Sequence, residues 1–236
     1  MTDLTRLWNF DDPAGSERRL REAADVAEGT DRLVLLSQVA RALGLQGQYD
    51  DANAVLDQLA TNDHEVATRV SLERGRLLRS AGEPEAAIPH FEAAERTAAE
   101  SGAVGLRVDA MHMLALVVDP ADRIAVSRRA LEVVAASPDP AVRDWDASLL
   151  NNIGMVHAEA DRFDEALVSF EQALAARERI GDPEQTRVAR WMVAWALRNL
   201  GRTDEALALQ RSIKADLDAA GRTDPHVEEE LALLGD

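Results

Sequence analysis

Five histidines, His64, His90, His112, His157 and His226, are the side chains best placed to move protons or hold metal near neutral pH. No two lie closer than 22 residues, so none forms the i, i+4 pair that sets two imidazoles on one helix face. His64-Glu65 lacks the second histidine of a zinc-protease helix, and His157 reads as a packed core residue. Cysteine is absent, which excludes disulfides, thiolate metal sites and a cysteine nucleophile. No Gly-rich phosphate loop, nucleophile elbow or dinucleotide fingerprint occurs. His112 three residues from Asp109 is the only titratable pair that could converge in a groove lined by the first helices, and Glu228-Glu229-Glu230 reads as a solvated face. The expectation is a non-enzyme with no catalytic residue, no metal and no cofactor. What the sequence does carry is recognition chemistry. Trp191 and Trp195 are i, i+4 on one helix, Asn151 and Asn152 stand side by side, and Arg is almost the sole cation, Lys214 being the single lysine. Trp, Met and Arg are enriched at recognition cores, and the guanidinium fork suits carboxylate.

The elements that must position these residues follow from composition and periodicity. The chain of 236 residues is rich in Ala and Leu, 46% hydrophobic but only 4% aromatic, which favours helices over sheet. Its net charge of −17 and pI near 4.7 weigh against nucleic acid and anionic membrane as partners. Met1–Asp12 has no apolar core of a signal peptide, and no run reaches the ~18 apolar residues of a membrane span. A cytoplasmic protein is expected, and the Ala/Arg bias suggests a high-GC bacterial source.

The clearest internal unit has Leu150, Ile153, Gly154 and His157 on one helix face, a turn at 159–162, then Phe163, Ala166, Phe170 and Ala173 on a second. The frame recurs through Val39, Ala40 and Leu43 to Leu56; Gly75 and Leu78 to Phe91; Met111 and Leu114 to Ala130-Leu131; and Val193, Ala194 and Leu197 to Ile213. The small-residue marks Ala40, Gly75, Met111, Gly154 and Ala194 are 35, 36, 43 and 40 residues apart. Asp-Pro at 119–120, 139–140, 182–183 and 224–225 predicts capped helix starts, and Ser16-Glu17 and Thr203 predict further caps. Pro89 should loosen one turn.

At these residues the sequence resembles the tetratricopeptide repeat family in its long-helix bacterial form, over roughly 32–220. The resemblance implies an all-α, right-handed α-solenoid (superhelix) of about five helical hairpins, with repeats near 32–60, 64–100, 103–136, 141–180 and 183–220. A lone helix from Ser16 would precede them and a cap at 225–234 would follow, giving one domain over 16–236. Residues 1–15 are expected as an extended arm whose Trp8 and Phe10 plug the first helices, or lie in the groove as an internal ligand.

The resemblance further implies that first helices line a concave groove. Offsets from the small-residue marks then place Arg41, Arg69, Arg76, Arg79, His112, Asn151, Asn152, Met155, Trp191, Trp195 and Arg198 on it, with Gln38, Glu73 and Asp109 among them. Arg outnumbers acid there, and about half of these Arg should pair with neighbouring carboxylates. The Lys/Asn/Arg carboxylate clamp of some family members is not reproduced, since Ser37, Arg41 and Glu73 stand at its positions. The functional expectation is a non-catalytic protein-protein interaction module, an adaptor or scaffold binding an acidic or amphipathic segment. Two alternatives stay open: a sensor of a small ligand around Trp191, Trp195, Met155 and His112, and a self-assembling module, for instance a homodimer.

Overall fold

A computed structural model describes residues 4–59 and 61–235, and among these every regular element is a helix. The chain divides into two compact units, 1–126 and 127–236. In the first, a 3-10 turn at Leu4–Arg6 precedes α1 (Pro13–Val26), α2 (Gly29–Leu45), α3 (Tyr49–Asp57), α4 (His64–Ser80), α5 (Pro84–Ser101) and α6 (Val104–Ala115). The division falls within α7 (Pro120–Ala136). The second unit continues with α8 (Pro140–Arg143), α9 (Asp146–Glu159), α10 (Phe163–Ile180), α11 (Pro183–Asn199), α12 (Thr203–Ala219) and α13 (Pro225–Leu233).

Local chemistry accounts for the element starts. All four Asp-Pro steps open a helix with Pro as the first residue, where a missing N–H costs nothing. At Asp139, Asp182 and Asp224 the carboxylate accepts hydrogen bonds from the first free backbone N–H groups. The N-terminal helix begins at Pro13, capped by Asp12, three residues before the expected Ser16. Ser16 is instead buried, its hydroxyl held at the backbone N–H and C=O of Asn9. The helix α5 runs through Pro89 without interruption. The fourth unit carries an extra turn, α8, which the sequence pattern merged with the helix that follows.

The small-residue marks are explained by what packs against them. A Cβ on Gly75 would come within 2.5 Å of the Phe91 ring, and one on Gly154 within 2.5 Å of Phe170. Each glycine therefore lets a fully buried phenylalanine of the second helix lie against the backbone of the first. The hairpin turns need a left-handed residue, which Gly47, Gly82 and Gly201 supply and which Asp161 adopts at φ 56° in the fourth unit. At the chain end, Val227 and Leu231 of α13 cover Ile213 and Leu217 of α12, closing an apolar edge.

Candidate functional site

In the first unit α2, α4 and α6 present Arg41, Arg69, Arg76, Arg79 and His112 beside Glu73 and Asp109. Arg76 is the hub. Its Nη2 donates to both oxygens of Asp109 at 2.6 and 2.7 Å, and its Nη1 donates to Glu73 one helical turn away. Burial pulls its guanidinium down, but Glu73 and Asp109 together raise it, so it is permanently charged. Burial pushes the Asp109 carboxyl up, and the charge and hydrogen bonds of Arg76 outweigh that and hold it below the ordinary carboxylate range. His112 is pulled below the usual imidazole value by burial, against the opposing charge of Asp109. Glu73 Oε2 is buried without a hydrogen-bond partner among the described residues.

Arg69 closes on Glu65 through two N–H groups at 2.9 and 3.0 Å, an i, i+4 pair. Two cations remain. Among the described residues neither Arg41 nor Arg79 has a hydrogen bond or ion pair to a carboxylate, and both line one cavity of about 200 Å³. Leu45, Leu77 and Met113 give it an apolar lining, and Glu73 and Arg76 line it as well. Arg41 is pulled below the normal guanidinium value by burial first and by Arg76 second. The charges of Glu73 and Asp109 oppose this without a direct bond to the guanidinium.

The other side of Arg41 carries the N-terminal arm. Trp8 and Phe10 stack at 4.9 Å between centroids and 9° between planes, and the Arg41 guanidinium carbon lies 5.7 and 5.5 Å from the two rings. Trp8 Nε1 donates to Gln38 Oε1 at 3.1 Å, while Leu4 and Leu7 pack on the first-unit core. The arm thus both seals that core and lies over the Gln38–Arg41 face. It is held to α1 by Ser16 at Asn9 and by Arg19 Nε donating to the Leu7 carbonyl at 3.0 Å.

The second unit treats its candidate residues differently. Trp195 lies edge-on to Phe163 at 5.4 Å and tilted to Phe170 at 6.3 Å, and with Met155 it packs on the core of α9 to α12. Trp191 stacks on Trp195 at 6.3 Å and 8°, meets the His226 ring, and packs on the core shared by α12 and α13. Arg198 forms a fork with buried Glu230 at 2.8 and 3.0 Å, joining α11 to α13. These side chains hold helices together. Asn151 and Asn152 remain partly exposed on α9, with Asn152 Nδ2 buried and unpartnered among the described residues. His157, expected in the core, is half-buried and accepts a hydrogen bond from Arg162 at its Nδ1. A cavity of about 750 Å³ lies among Leu131, Val134, Leu150 and Ile180, with Arg179 at its edge forked onto Asp146. Among the described residues no three His, Asp or Glu side chains gather as metal ligands, and no helix is long and apolar enough to cross a membrane.

Trp8, Phe10 and Gln38 were the parts of this site least visible as site residues. The signal was two aromatics in a polar segment and a glutamine in groove register.

Two family models described as Tetratricopeptide repeat match residues 37–102 and 145–214, together more than half of the chain. Among solved structures, BtubC (BKLC) from P. vanneervenii is similar at TM-score 0.68 and 19% identity, over 95% of each chain. A Podosopora anserina chain described as a kinesin light chain with nearly identical TPR-like repeats aligns at TM-score 0.64 and 18% identity, over 84% of this chain and all of that one. The apo form of the quorum sensor NprR from B. thuringiensis aligns at TM-score 0.65 and 14% identity, over 95% of this chain and 64% of NprR. NprR was also solved with its cognate peptide NprX, and that structure aligns at TM-score 0.57. No curated protein matches the sequence.

Proposed function

The chain belongs to the tetratricopeptide repeat family, and on that premise we propose that it is a non-catalytic protein-interaction module whose α2–α4–α6 face binds an acidic or amphipathic segment of another protein. The observation that carries the reading is that Arg41 and Arg79, which among the described residues have no hydrogen bond or ion pair to a carboxylate, line one cavity of about 200 Å³. In a chain of net charge −17, most other arginines of this face already have an acid. A partner carboxylate entering the cavity would meet planar donors in fork geometry, with Leu45, Leu77 and Met113 against its methylenes. Arg76 acts beside them: bonded through Nη2 to both oxygens of Asp109, it ties α4 to α6 next to the cavity. NprR, which shares the fold, was solved with a peptide, and this agrees with a peptide in the same role here.

The test is a display of immobilised peptides of about twelve residues, half of them carrying Glu or Asp. Wild type should retain a subset of the acidic peptides, and retention should fall at least tenfold in Arg41→Glu/Arg79→Glu and in high salt. Arg18→Glu, at an exposed position on α1, is the control expected to bind as wild type. Equal retention by the double variant and wild type would remove the reading.

A further inference from the structure

The N-terminal arm covers part of the same face, and how it does so points to what else the partner brings. Trp8 and Phe10 offer Arg41 two ring faces and no acceptor, so the N–H groups of a half-buried guanidinium stay without a protein partner. Trp8 donates a hydrogen bond to Gln38 of α2, and Phe10 is still 59% exposed. The arm's backbone bonds run to α1, through Ser16 and Arg19. These ties to α1 involve the Asn9 and Leu7 backbone and neither ring, so loss of the ring contacts with Arg41 and Gln38 leaves them intact, at the expense of the packing of Trp8 on the core.

We infer that the Gln38–Arg41 face of α2 is a docking surface for a partner segment carrying two aromatic rings at i and i+2, and that the arm fills this surface when the partner is away. The inference rests on the reading of this face as a peptide site and adds the partner's chemistry and the site's regulation. Asp12 of the arm is engaged as the cap of α1 and neither it nor Asp11 bonds Arg41, so a segment whose carboxylate reaches that guanidinium gains a contact the tethered arm does not make. The arm is a formidable competitor, because a short tether corresponds to an effective concentration in the millimolar range.

The probe is a labelled synthetic peptide of this chain's own Leu4–Asp12, which bears the ring pair and two aspartates, offered to the full-length protein. Trp8→Ala/Phe10→Ala should bind it at least tenfold more tightly than wild type, whose arm competes, and adding Arg41→Ala should abolish the gain. A second measurement does not depend on that double variant folding. Arg41→Ala alone should speed tryptic cleavage after Arg6 at least fivefold, as the arm loses its cation. A double variant with native circular dichroism that binds the peptide no better than wild type would overturn the inference. So would an unchanged cleavage rate in Arg41→Ala. A concentration-dependent dimer of wild type, lost in Trp8→Ala/Phe10→Ala, would overturn it in favour of a second copy's arm as the occupant. The two readings fail separately: peptide binding in trans without retention of acidic peptides leaves the aromatic surface and removes the carboxylate cavity. Retention without trans binding leaves the cavity and makes the arm a fixed plug.

Discussion

Sixteen residues separate each small-residue mark from the core position of its partner helix, and the sizes at the two ends compensate. Gly75 precedes Phe91 and Gly154 precedes Phe170, whereas Ala40 precedes Leu56 and Ala194 precedes Gln210, all of them buried. The third copy exchanges the order, with large Met111 first and small Ser127 second. Volume, more than identity, is what each hairpin keeps. Gln210 is the anomaly, since it is wholly buried and neither its Oε1 nor its Nε2 has a partner among the described residues. An amide desolvated without hydrogen bonds is destabilising, and leucine has nearly its volume without the cost. Gln210→Leu should therefore raise stability by about 1–2 kcal/mol, read as a higher urea midpoint at unchanged slope. A lower midpoint would mean that the amide is satisfied in solution.

Charged side chains seat α13 on α11 and α12. Arg187 of α11 pairs with Asp224, the cap of α13, and with Glu184, which also accepts from Arg222 in the preceding loop at 2.9 Å. Arg198 to Glu230 and Lys214 to Glu228 complete the attachment. Hydrogen bonds from Arg222 and then Arg187 hold the Glu184 carboxyl down at about 2, below its ordinary value of 4.5. Because the folded value lies below the unfolded one, this stabilisation is full above about pH 4.5 and is lost as pH falls through 2. The pair is half-exposed, so its size is modest and shrinks with salt. Glu184→Gln should flatten the fall in thermal midpoint between pH 4.5 and 2, in low salt, without altering the midpoint's trend above pH 6. An unchanged acid limb would show that the attachment of α13 does not depend on this carboxylate.

At the scale of the molecule the chain forms two compact units, each with its own buried clusters. In a stack of hairpins each repeat buries its face against neighbours only, so damage stays local. A Cβ at Gly75 would collide with the Phe91 ring, which is wholly buried and cannot step aside. Gly75→Ala should lose about 2 kcal/mol by overpacking. Hydrogen exchange should quicken across α4 and α5 while α10 to α12 keep their protection. Equal loss in both units would mean that the chain opens as one cooperative body.

The repeat spacing, the hairpin pattern, the capped Asp-Pro starts and the all-helical class were legible in the residues alone. Each depends on interactions within about one helical turn or on a periodicity that recurs along the chain. The allocation of the arginines was not. Arg76 meets Asp109 across 33 residues and Arg198 meets Glu230 across 32, while among the described residues Arg41 and Arg79 have no hydrogen bond or ion pair to a carboxylate. Nothing local distinguishes these four, because the partner of a long flexible cation is set by which helix packs beside it. The same holds for the tryptophans. The i, i+4 spacing of Trp191 and Trp195 fixed their common face, but only packing against Phe163, Phe170 and His226 made that face a joint between helices. Trp8 and Phe10 came to rest on Arg41 for a reason the sequence does not contain: the fold brings a face of α2 within reach of the arm and sets that guanidinium against the two rings.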